Sequence, residues 1–355
     1  MTALDWSMGS ASVRLADWSV AEEVARRFGG PGARVSAVER ARLREDFAEL
    51  VPHGESLITG YTGLAVPGGR ARAWVMSRGE WIDQNLRGLQ RLLEPLAARI
   101  VGDRRRSEVR RKALGAQVGV LLGYASRKVL GQYDPFAPPD DEGTVYVVGP
   151  NVAEVERSFA LPRRDFRLWI SLHEACHRVQ FAAAPWLRGY LASLVDAYLA
   201  TISLDGRELL RQLRRAVDEV RDGSRERRGV GVLFLLMSPE QRELFRRMQA
   251  VMSLLEGHAS YVMNVVAAGR VRDLDRMRRA LRARRRAGGV ERAFQQAIGF
   301  DQKARQYGTG ERFVRGTIEL AGMEGFNRVW QGPANLPTLA EVASPARWVE
   351  RVAGG

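Results

Sequence analysis

Asp165-Phe166-Arg167-Leu168-Trp169-Ile170-Ser171-Leu172-His173-Glu174-Ala175-Cys176-His177 contains no proline or glycine, and its apolar residues recur at the spacing of a buried helix. The spacing predicts a helix over residues 164–182. Residues four apart on a helix lie one turn above each other on one face. Both imidazoles can therefore reach one ion, the arrangement that a His-Glu-x-x-His segment offers to zinc. Glu174 sits one residue round from His173, close enough to the open coordination position to take a proton from a water there. These residues lead to one Zn2+ per chain held by His173 and His177, with Glu174 as general base.

Such a site needs a third protein ligand. Glu256 lies 79 residues after His177, in Leu254-Leu255-Glu256-Gly257-His258-Ala259-Ser260-Tyr261. A carboxylate among apolar helical residues is costly unless it is paired or bound to a metal. His258 is the rival ligand, but two residues along a helix falls on roughly the opposite face, so the two should not share an ion. Glu256 is favoured, and His258 is assigned to the shell around the site, to the substrate cleft or to the core. Cys176 reads as a small buried hydrophobe, and His53 as a loop residue without a role. Tyr133 and Tyr307 are candidates to donate a hydrogen bond to the oxyanion of a hydrolytic reaction.

Outward from the motif the chain alternates helical periodicity with Gly and Pro stops. Trp18–Leu50 reads as two helices broken at Gly29-Gly30-Pro31-Gly32, and 58–75 as a strand pair or loop. Helices follow at 81–101 and about 107–129. The second is rich in small residues (Gly115, Gly119, Gly123), which permit close helix contact. Residues 144–150 read as one short buried strand, followed after the motif by helices at 187–204 and 207–220. Ser238-Pro239-Glu240 opens a further helix, with Ser as N-cap and Pro in its first turn. No internal repeat or low-complexity segment occurs. The expected organisation is a single domain over 1–355: a mainly helical part at 1–130, the metal-site core at 131–270 and a helical part at 271–355 closing the cleft.

Composition excludes several classes. Hydrophobic residues make up 45% and charged residues 27% of 355, an ordinary globular balance. No apolar run approaches the ~18 residues of a membrane span. The opening Met1-Thr-Ala-Leu-Asp-Trp-Ser-Met lacks a basic and apolar leader pattern, and one cysteine cannot form an internal disulfide, so a reducing cytoplasm is expected. The net charge of +14 comes almost wholly from arginine, since Lys112, Lys128 and Lys303 are the only lysines. The arginines are scattered on amphipathic helices without a nucleic-acid-binding motif, so no specific nucleic-acid partner is expected.

Several segments together resemble a known family: Gly131-Gln132-Tyr133-Asp134-Pro135, Val148-Gly149-Pro150-Asn151, Phe166-Arg167-Leu168-Trp169 with His173-Glu174-x-x-His177, Pro185-Trp186-Leu187-Arg188, and Glu256-Gly257-His258-Ala259. They look like the zincin-like metallopeptidases of actinobacteria and relatives, a group associated by name with biosynthesis of a deazaflavin coenzyme. The resemblance implies an α+β, predominantly α-helical zincin-like fold with a small β-sheet and extra helices. It also implies a gluzincin-like ligand set of His173, His177 and Glu256. Where thermolysin-like enzymes carry an Asp four residues after that Glu to orient a ligand histidine, this chain has Ser260, so another group must do so here. In zincins the strand beside the cleft is an edge that binds extended peptide, which places 145–148 as that edge. The expected function is a zinc-dependent hydrolase of peptide or protein substrates. The alternative is a non-proteolytic zinc scaffold or interaction protein linked to cofactor metabolism.

Overall fold

The computed structural model describes residues 15–101, 108–137, 143–201, 237–285, 300–352 and 354, without the side chains of 95–101, 282, 285 and 300–307. In chain order the elements are α1 (Trp18–Gly29), α2 (Ala37–Thr62), β1 (Arg72–Met76), α3 (Arg78–Val101), α4 (Glu108–Ser126), β2 (Gly131–Tyr133), β3 (Thr144–Val148), α5 (Gly149–Ser158), α6 (Arg163–Ala183), α7 (Trp186–Ala200), α8 (Pro239–Ala267), α9 (Leu274–Arg285), α10 (Phe300–Asn327), α11 (Leu339–Ala343) and α12 (Pro345–Val352). The helix expected at 207–220 lies outside the described residues. The predominantly helical α+β class with one small sheet is what the sequence led us to expect. No helix among the described residues is long and apolar enough to cross a membrane.

The chain forms two compact units, one from Met1–Gly32 with Ser77–Lys128 and one from Ala33–Met76 with Val129–Gly355. In the first, α1 lies main chain against main chain on α4. A Cβ on Gly115, Gly119 or Gly123 would stand 2.2, 2.6 or 2.8 Å from the carbonyl oxygens of Asp17, Ala21 and Ala25. The glycine stripe read from the sequence is therefore the contact surface.

The second unit contains the sheet and the motif helix. Its strand order is β1-β3-β2, with β1 parallel and β2 antiparallel to β3. This corrects the reading of 145–148 as an edge: both sides of β3 are already paired. The outer strands are β1 and the short β2, and β2 carries Tyr133.

α2 packs along α6 through Leu43, Phe47, Val51 and Ile58, all fully buried. It runs past Pro52 to Thr62 and ends at Gly63, whose φ of 69° is the left-handed conformation glycine favours. The sequence reading stopped this helix at Leu50 and put His53 in a loop; both are corrected here. A mid-helix proline forfeits one backbone hydrogen bond, and the buried face shared with α6 offsets that loss. α6 itself is anchored near its start by Arg167, which is buried and donates to both carboxylate oxygens of Glu156 at 2.8 and 2.9 Å and to Asp46 at 2.6 Å. α8 starts with the Ser238 cap expected from sequence, closed by Gln241 into a reciprocal box.

Candidate metal centre

α6 places the His173 and His177 rings 4.8 Å apart, nearly perpendicular at 85°. α8 brings Glu256 to them: its Oε2 lies 3.7 Å from His173 Nε2 and 3.8 Å from His177 Nε2. The three donor atoms are all within 4.8 Å of one another. Tetrahedral coordination with bonds of about 2.0–2.2 Å sets ligand atoms roughly 3.3–3.6 Å apart. The two carboxylate–imidazole separations exceed that by a few tenths of an ångström, a gap that side-chain torsions close. Two imidazoles and one carboxylate are a donor set suited to zinc. The cluster keeps partial access to solvent, with His173 at 26%, His177 at 16% and Glu256 at 14% side-chain exposure, so a position is left for water or substrate.

Glu174 is buried and faces β2. Its Oε2 accepts the main-chain N–H of Tyr133 at 3.0 Å. A Cβ on Gly131 would stand 2.7 Å from Glu174 Cγ and 3.0 Å from its Oε1, so only glycine lets the strand lie this close. Burial is the main influence on the carboxyl group. His177 and the Tyr133 N–H draw its pKa down, Glu256 pushes it up, and the balance leaves it raised to about 7.

Gln180, which the sequence reading missed, contacts His177, one of the candidate ligand histidines. Its Nε2 donates to the Leu255 carbonyl at 2.9 Å, and that oxygen can only accept. The amide orientation is thereby fixed. Oε1, 3.0 Å from His177 Nδ1, accepts that N–H and leaves the Nε2 lone pair of His177 facing the cluster. The second Nε2 hydrogen reaches His258 Nδ1 at 2.9 Å. Ser260, noted as a departure, instead donates to Glu311 at 2.8 Å. A polar residue three after a ligand histidine on the same helix is the signal that could have revealed Gln180. The isosteric change Gln180→Met should weaken metal affinity by about 10–100-fold, read by chelator competition. Unchanged affinity in a folded variant would refute the orienting role.

The remaining candidates are placed as follows. His258 is fully buried, its ring stacked at 5.3 Å on Phe326 and edge-on at 5.2 Å to Trp330. It joins the centre through Gln180. Tyr133 enters through its main chain, while its hydroxyl accepts from Arg188 at 2.9 Å. Cys176 is buried and its thiol is pushed up by burial, so it behaves as the small hydrophobe expected. The Tyr307 side chain lies outside the described residues.

Two of these groups give stability opposite pH dependences. Glu174, raised from 4.5 to about 7, keeps a proton that the unfolded chain releases, so its contribution falls as pH rises through that window. His258, pushed by burial from 6.5 down to about 3, stays neutral where the unfolded chain is charged, so its contribution rises with pH between those values. In metal-free protein the two slopes oppose each other from 4.5 to 6.5. The stability of Glu174→Gln relative to wild type should therefore climb by about 1.4 kcal/mol per pH unit across this range. Urea titrations at several pH values measure this, and a constant offset between the two proteins would disprove it.

A family described as zincin-like metallopeptidase matches residues 16–349. The structure also resembles a crystal structure from Chloroflexus aurantiacus described as a candidate hydrolase with a novel fold. The TM-score is 0.71 at 31% sequence identity, over 96% of this chain and 100% of that one. No curated protein matches the chain. None of these findings bears on a deazaflavin coenzyme.

Proposed function

We propose, for a chain that belongs to the zincin-like metallopeptidase family, that His173, His177 and Glu256 hold one Zn2+ and that the protein hydrolyses peptide bonds with Glu174 as general base. One observation carries this reading. Beside three donor atoms within 4.8 Å of one another stands another carboxyl group, Glu174, buried and raised to about 7. A purely structural metal site has no use for a group poised to exchange protons near neutrality.

The ion, when bound, supplies a Lewis acid that polarises a carbonyl and acidifies water. The residues do the rest. Gln180 fixes His177 in the tautomer that presents Nε2. The Tyr133 N–H holds Glu174 Oε2, so Oε1 is the atom assigned to take the proton from the attacking water and later pass it to the leaving amine. Burial keeps that carboxyl group from being stabilised as an anion by bulk water, which makes it a stronger base once ionised.

Metal analysis of wild type beside His173→Ala and Glu256→Ala, with a fluorogenic peptide library assayed before and after chelation, tests the assignment. About one zinc per chain, lost in both variants, with cleavage abolished by chelator and restored by zinc, is the expected result. Zinc retained by Glu256→Ala would remove the third ligand from the scheme. Stoichiometric zinc without cleavage of any library member would favour the scaffold alternative.

A further inference from the structure

The second unit carries a cavity of about 460 Å³ lined by Arg42, Arg157, Arg163, Arg164, Arg167 and Asp46, among others. Its lining differs in chemistry from the metal cluster: no His or Cys lines it, and five guanidinium groups outnumber the two carboxyl groups of Glu39 and Asp46. Arg167 is consumed by Glu156 and Asp46, and Arg164 reaches Asp46 and Glu49. Arg163 stands 4.0 Å from Glu156, at the limit of an ion pair. Two cations differ. Among the described residues Arg42 has no carboxylate within ion-pair distance, nor has Arg157. Arg157 is instead held by main-chain carbonyls, donating from Nε to Ala153 at 3.0 Å and from Nη2 to Arg34 at 2.9 Å.

An arginine fixed by neutral acceptors has its side-chain order established while its charge is uncompensated. That is the pre-organised state in which a guanidinium binds an oxyanion with little further entropy loss. The backbone adds to the field. The cavity is bounded by the first turn of α2, through Ser36 and Glu39, and by the first turn of α6, through Arg163 and Arg164. Both helices present the positive ends of their dipoles there. α6 begins at Pro162 without a side-chain cap, whereas Ser36 accepts from Glu39 N–H on α2.

We infer that this cavity binds a small, multiply charged oxyanion of the phosphate class, with Arg42 and Arg157 as the principal contacts and Arg163 assisting. The site lies at the start of the helix that carries His173, about ten residues or roughly 15 Å along its axis from that residue. The inference is independent of what the metal centre does.

The test is calorimetric titration of the full chain with inorganic phosphate and with pyrophosphate, at ionic strength matched with chloride. Wild type, Arg42→Gln, Arg157→Gln and His173→Ala are compared. Saturable binding, tighter for pyrophosphate, weakened at least about tenfold in Arg42→Gln and Arg157→Gln and kept in His173→Ala, is the expected result. Arg42 is exposed and makes no structural hydrogen bond among the described residues, so Arg42→Gln decides alone if Arg157→Gln melts early. Binding lost in His173→Ala and kept in the arginine variants would assign the anion to the metal centre and overturn the inference. So would a heat no larger than that of chloride, or binding of a short oligonucleotide with none of either phosphate.

Discussion

Glu174→Gln should lower peptide turnover by about 10²–10⁴-fold while zinc content stays at wild-type level. The amide keeps the volume of the carboxyl group and its oxygen can still accept the Tyr133 N–H, so β2 need not move. Only the capacity to take a proton is removed. Because burial dominates the raised pKa, the ordinary alternative, in which Gln merely relieves an awkward buried charge, predicts a more stable protein with unchanged rate. The two outcomes separate cleanly in one kinetic experiment paired with metal analysis. Full activity in a zinc-loaded Glu174→Gln protein would remove Glu174 from the chemistry.

Gly257→Ala is expected to be strongly damaging for a single added methyl. α8 and α10 touch through their main chains. A Cβ on Gly257 would stand 2.3 Å from the Gly310 carbonyl carbon, and one on Gly310 would stand 2.0 Å from the Ser253 carbonyl oxygen. Backbone cannot rotate aside as a side-chain tip can, so the helices must separate, and with them the buried Leu254, Leu255, Phe313 and Val314. Overpacking of this kind costs typically about 1–3 kcal/mol, and the upper end applies when main chain is the obstacle. A fall in Tm of roughly 3–4 °C follows for a chain of this size. Glu256 precedes Gly257, so the same displacement should loosen its hold on the metal. Gly189→Ala, at a helical glycine with nothing within 4 Å, is the matched control and should be neutral or slightly stabilising. A Gly257→Ala protein that melts with wild type would show that the helices do not meet this closely.

What could be read from the sequence here depends on whether the information is local. His173 and His177 sit four residues apart on one helix, so a single periodicity puts both Nε2 atoms on one side. Glu256 is non-local, yet its setting among Leu254, Leu255 and Val262 announces a carboxylate that needs a partner, and it is brought to the histidines. The glycines of α4 were legible for the same reason, as a register of small residues at helical spacing. What escaped was set by partners distant along the chain. β3 is central because β1 pairs with it in parallel, and nothing in Thr144–Val148 itself discloses a partner many residues earlier. α2 continues through Pro52 because α6 covers it, and Tyr133 acts through an N–H that every residue type but proline possesses. Gln180 is the exception: it was local, three residues after His177, and went unread because a glutamine in a helix announces no chemistry of its own.

The parallel pairing of β1 with β3 bears on how the chain is made. Sixty-seven residues separate Met76 from Thr144, and they include α3 and α4 of the other unit. During synthesis at about 5–20 residues per second, β1 waits roughly 3–13 s for the strand that completes it. Throughout that interval Trp74, Val75 and Met76 form a nascent strand with unpaired main chain, the kind of edge that recruits a neighbouring polypeptide. That exposed interval precedes synthesis of the motif helix, and slower translation of residues 77–143 lengthens it.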